Sequence, residues 1–156
     1  MRPFISAPIL LLLLLASLAS ADVVTPPARA EAAAWVVTAK SPARVVIGQP
    51  AVLEISLEAR AGHHLNDDYP INFRPASAAV ARFDKARFDR QDGLVTVPCA
   101  SEPHACGVRL PVSYMPIAAG SARLGGTLAF SVCNEEHCLI EKIDVAAAVE
   151  VARSNH

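Results

Sequence analysis

The sequence predicts an all-β domain, an antiparallel β-sandwich, and three observations carry that prediction. Several short segments alternate apolar and polar residues with a period of two, as half-buried strands do. Turn-forming residues separate them, at Ser41-Pro42, Gly48-Gln49-Pro50, Gly62, Pro70, Pro75, Asp92-Gly93, Pro116 and Gly120. After the first residues, no stretch shows the apolar face of an amphipathic helix.

Residues 1–21 read as a signal peptide. Arg2 supplies a positive charge, Ile9 to Leu18 form an apolar run, and Ala19-Ser20-Ala21 matches a small-residue cleavage site. The apolar run is about half the roughly 20 residues a membrane-spanning helix needs. Cleavage near Ala21 starts the mature chain at Asp22, in the periplasm or outside the cell, with no membrane insertion. Residues 22–34 read as a flexible leader, because Pro26-Pro27 blocks regular structure, with at most a helical turn at Glu31–Ala34. Residues 35–156 then form one domain, large enough to bury a core.

Within that domain Val52 to Glu58 is the strongest strand, with Leu53, Ile55 and Leu57 on one face and Glu54, Ser56 and Glu58 on the other. Leu94–Val97 and Val108–Tyr114 are short and β-rich. After Gly125-Gly126, Leu128, Phe130 and Val132 share a face. Ile143 to Val151 is Ala-rich, yet Ile143, Val145, Ala147, Val149 and Val151 fall on one parity, which favours strand over helix. Trp35, Phe73, Phe83, Phe88 and Phe130 are core candidates, and Arg82, Lys85, Arg87 and Arg90 read as a solvated strand face.

The formal net charge is −1, and −2 once Arg2 leaves with the signal, so nothing points to nucleic acid or an anionic membrane as partner. Four cysteines in an exported chain favour two disulfides. Sequence-local pairing, Cys99 with Cys106 and Cys133 with Cys138, is the simplest of the three connectivities.

The segment Phe130 to Lys142, FSVCNEEHCLIEK, concentrates the chemistry. Alternation places Cys133 after one strand and Cys138 before the next, as facing posts of a four-residue hairpin loop. The pair reads as a structural staple, a redox-active dithiol or half of a metal site. Glu135 and Glu136 would raise thiol pKa values by repulsion, whereas a protonated His137 would lower one. His63, His64, Asp67, Asp68, His104 and His137 are residue types able to bind Cu or Zn, but no C-x2-C or H-x3-H spacing joins them, so no metal or cofactor is expected. Asp67-Asp68-Tyr69-Pro70 reads as a turn. No phosphate loop, nucleophile elbow or H-E-x-x-H motif is present.

Gly126 to Val151, built around this Cys pair, resembles the N-terminal domain of the thiol:disulfide interchange protein DsbD family. Ala61 to Phe73, AGHHLNDDYPINF, is similar to that family's Gly-x-His-x-Asn segment, and Arg109–Val112 to a short strand before a turn at Gly120. The resemblance implies an immunoglobulin-like sandwich that exchanges electrons between protein dithiols. It assigns Cys133 and Cys138 as the redox pair, with Cys138 as the attacking thiol. Partners would be protein thiols or disulfides, among them a separate membrane electron-transfer protein and thioredoxin-like proteins. The family pattern does not require the pair Cys99–Cys106, which its Pro103 and Gly107 surroundings mark as a structural disulfide tying down a loop; that loop lies near where the family carries a cap over its Cys pair. Leu139-Ile140 stand where the family usually has Pro after the pair. The competing expectation is a secreted β-sandwich binding or adaptor module with purely structural disulfides.

Overall fold

In the computed structural model, residues 25–100 and 104–154 are described. The expected signal segment with its expected cleavage site, and Asp22 to Val24, lie outside them. The chain forms two six-stranded sheets. The first runs β1 (Arg29–Glu31), β2 (Trp35–Lys40), β4 (Ala51–Ala59) and β10 (Ala105–Pro116), with β7 (Ala81–Phe83) and β9 (Val95–Pro98) both pairing with β10. The second runs β3 (Arg44–Val46), β12 (Cys138–Ala152), β11 (Gly120–Cys133), β6 (Asn72–Pro75) and β8 (Phe88–Asp89), with β5 (His64–Leu65) also on β11.

The two-residue period decides which side chains meet between the sheets. Leu53, Ile55 and Leu57 of β4 pair with Val112, Leu110 and Val108 of β10 on the inner face. Opposite them, Leu128, Phe130 and Val132 of β11 and Val145, Ala147, Val149 and Val151 of β12 are all buried. Trp35 and Phe130 meet edge to face across the core, with ring centroids 5.3 Å apart, a geometry that aromatic quadrupoles favour. Tyr114 is buried to its hydroxyl, which shares a 2.8 Å hydrogen bond with Ser41 Oγ.

Among the described residues every strand pair is antiparallel except β3 on β12, where Glu150, Val151 and Ala152 lie beside Arg44, Val45 and Val46 in parallel. Three residues are too short to show a period, so this strand was not legible. The expected punctuation is real: Gly48, Gly62, Gly93 and Gly120 have positive φ. Asp67 and Asp68 form the turn expected of them.

Two expectations are corrected. The leader is not uniformly irregular, and Glu31–Ala34 is not helical. Arg29–Glu31 forms β1, in register with Val36–Thr38, and Glu31 pairs with Arg29 and Arg60. The Pro26-Pro27 pair prevents a helix but leaves an edge strand free to form two residues later. The basic stretch is also not one strand face. Arg82 lies in β7, Lys85 and Arg87 in the following connection, and Arg90 opens a 3-10 turn, Arg90–Asp92. Asp89 caps that turn by accepting from the Gln91 amide, and Lys85 pairs with Asp92.

Candidate functional site at the β11–β12 tip

The β11–β12 hairpin runs in unbroken register from Gly120↔Val151 to Cys133↔Cys138. Its loop is organised by Asn134. The Asn134 amide donates to the His137 carbonyl at 3.0 Å, and Asn134 Oδ1 accepts from the Glu136 and His137 amides, each at 2.9 Å. A short Asx side chain thereby replaces backbone partners, which is why such residues favour turns. Glu135 and Glu136 are left exposed at the apex.

Cys133 and Cys138 are disulfide-bonded with Cα atoms 4.0 Å apart. Their exposure differs: Cys133 is 6% exposed, whereas Cys138 lies open to solvent. β5 packs beside Cys133, with His64 as its register partner and Leu65 opposite Val132. The next residue, Asn66, donates its amide to the Ser131 carbonyl and directs its side-chain Nδ2 at Cys138 Sγ, 3.9 Å away. Asn66 was not among the expected site residues, although the Gly62-x-His64-x-Asn66 pattern contains it.

The second disulfide, Cys99–Cys106, closes the start of β10. It lies on the other side of the same dipeptide, with Cys106 Sγ 4.0 Å from the His63 carbonyl oxygen. The two disulfides therefore flank His63–His64 at one end of the sandwich. The His64 and His104 rings stack at 4.3 Å, His104 Nδ1 is 3.6 Å from Asp67 Oδ2, and the other Asp67 oxygen, Oδ1, faces the Arg90 guanidinium at 3.7 Å. Among the described residues no group of three or more His, Cys, Asp or Glu is placed to hold a metal ion. Asp68 instead donates its amide to Asn66 Oδ1 within the turn.

No family model matches this chain, and no curated protein matches it in sequence. Among solved structures, a cohesin module from a Clostridium perfringens family 33 glycoside hydrolase is similar, with a TM-score of 0.50 and 12% identity over 76% of this chain and 96% of that one. Weaker likenesses are AggA, the major subunit of aggregative adherence fimbriae type I from Escherichia coli, at TM-score 0.36 and 12% identity over 76% and 95% of the two chains. Another is the ASH/PapD-like domain of human CEP192, at TM-score 0.32 and 11% identity over 98% and 100%. The cohesin likeness speaks to fold alone. Fold and site together define an immunoglobulin-like β-sandwich module stapled by two disulfides, bonds that belong to an oxidising compartment such as the periplasm or cell exterior. No helix among the described residues is long and apolar enough to cross a membrane.

Proposed function

We propose that this chain is an exported recognition module in which both disulfides are structural and brace one end of the sandwich for contact with another protein. The observation that carries this reading is the placement of both disulfides against His63–His64, where short strands and loops replace the long ladders. A two-residue strand such as β5 has little pairing of its own, so covalent closure on both sides holds the end in one shape. The test is a redox titration with mass-tagging of thiols. Structural disulfides stay oxidised until about −300 mV or lower. Reduction of either pair well above that potential removes this reading.

A second reading, thiol–disulfide exchange in the manner of the DsbD N-terminal domain, is favoured by the unequal exposure of Cys133 and Cys138 and by the Asn66 amide aimed at Cys138 Sγ. A thiolate of a partner dithiol would attack Cys138 Sγ, forming a mixed disulfide as the Cys133–Cys138 bond breaks. Cys133 leaves as a thiolate and takes a proton from water. The partner's second thiolate then attacks the partner sulfur of the mixed disulfide and releases Cys138, so two electrons pass to this pair and the partner's dithiol becomes a disulfide. Run in reverse, Cys138 is the attacking thiol. Under this reading Cys133→Ser leaves Cys138 to trap a mixed disulfide, and a trap that captures no thioredoxin-like or membrane electron-transfer protein counts against it.

A further inference from the structure

β12 is paired along its full length with β11, but among the described residues its other edge is mostly open. β3 covers only Glu150–Ala152, and the Ala146 amide donates to the Pro27 carbonyl. From Cys138 to Val145 no described strand pairs with that edge. Alternation within an antiparallel ladder turns every second residue's N–H and C=O away from the partner strand. The outward Ala146 and Glu150 amides, bonded to Pro27 and Ala43, set the parity. Cys138, Ile140, Lys142 and Asp144 therefore present their backbone groups outward, over a length of about 20 Å at 3.3 Å per residue.

Soluble domains usually blunt such an edge. Here Ile140 is 64% exposed and Leu139 38% exposed on the same stretch, an apolar invitation rather than a guard. Along the chain the charges are lopsided: Glu135, Glu136, Glu141 and Asp144 against Lys142, with Arg74 and Arg123 lining the hollow beside Asp144 at the far end of the stretch. A second copy of this edge would bring like charges together. We propose that residues 138–145 of β12 dock an extended, basic, apolar-alternating segment of a partner protein, added to the sheet as a further strand. This rests on the recognition-module reading and names its surface and the chemistry of its partner. Main-chain hydrogen bonds would give affinity, Leu139 and Ile140 apolar contact, and the acidic groups the charge preference.

The probe is the amidated peptide Lys-Val-Thr-Val-Lys-Val-Lys, added to the oxidised mature chain and followed by amide hydrogen exchange. The expected result is exchange slowed about tenfold or more at Ile140, Lys142 and Asp144, with the amides of Leu139, Glu141 and Ile143, already in the β11 ladder, little changed. The protection should fall as salt is raised. The same peptide N-methylated at alternate residues, which lacks the donors to pair, should protect nothing. Lys142→Pro removes one outward N–H without touching a β11 hydrogen bond, and should abolish protection at Ile140 and Asp144 while thermal unfolding stays cooperative. Equal protection by the N-methylated peptide overturns the proposal even if the proline variant misfolds. Protection that appears instead on β9, around Val95 and Val97, overturns the edge assignment but leaves a recognition module. Protection nowhere, or self-association that covers the edge, overturns the docking proposal, while the disulfide titration decides the recognition-module reading separately.

Discussion

The waist and the tip of the β11–β12 hairpin share one ladder and differ in everything else that holds them. At the waist Gly126 lets β6 approach so closely that an added Cβ would lie 2.1 Å from the Arg74 carbonyl oxygen. A few residues on, Phe130 is fully buried against Trp35. At the tip the strands outrun part of the core, Leu139 and Ile140 reach solvent, and a disulfide with one Asn-centred turn closes the end. Uniform backbone pairing therefore conceals two modes of stabilisation: close packing at one end, covalent and local polar closure at the other.

Four variants separate these modes. Phe130→Ala empties the centre of the core and is expected to cost about 3–5 kcal/mol in urea unfolding. Gly126→Ala forces backbone against backbone, with an expected loss of about 1–3 kcal/mol and local loss of β6 protection in hydrogen exchange. A loss under half a kcal/mol would mean that β6 yields freely and the waist is not tightly packed. At the tip, the double change Cys133→Ala with Cys138→Ala opens a small ring, for which the loop-entropy relation gives about 2 kcal/mol, measured under oxidising conditions against the intact chain. Asn134→Ala should cost about 1 kcal/mol, because the Glu136 and His137 amides lose their acceptor to water. If Asn134→Ala costs as much as the disulfide, polar closure rather than the covalent bond governs the tip.

The smallest effect lies away from the hairpin and serves as a control. Asp92 is held below its ordinary carboxylate pKa first by its hydrogen bond from Lys85 and then by one from the Asp89 amide. Lys85 is raised above its ordinary value by the same contact. A depressed acid contributes stability that is present above its unfolded pKa, near 3.8, and is lost as pH falls through the folded value. The raised Lys85 contributes below about 10.5 and loses it as pH rises further. Lys85 is exposed while Asp92 keeps only 10% of its side-chain surface in solvent, so solvent screens the pair from the lysine side. The difference between wild type and Asp92→Asn in thermal unfolding should be small near neutral pH and vanish in acid. A difference that grows in acid would reverse the sign of this pair.

Strand identity was legible in the segments with the clearest period: Leu53–Leu57, Leu128–Val132 and Val145–Val151 bury the parity that the sequence marks, with Ile143 half-buried at the start of the last. The six-residue β2 also alternates but was not singled out. The Ala-rich last segment formed a strand because its alternating faces meet a core, which outweighs alanine's helical preference. Facing positions for Cys133 and Cys138 followed from the same alternation. β1, β3, β5 and β8 were not legible, since two or three residues carry no periodic signal and exist as strands only because a longer neighbour offers backbone groups.

By itself, then, the sequence determined the β class, the inward faces of the long strands, the turn glycines and the neighbouring cysteines, all properties of residues close in the chain. Tertiary structure alone decided that Asn66 would reach Cys138, that His64 would stack on His104, and that both disulfides would share one end of the sandwich. Those contacts join residues dozens of positions apart. They depend on which sheet edges meet, and that choice is made by packing of the whole core rather than by any local pattern.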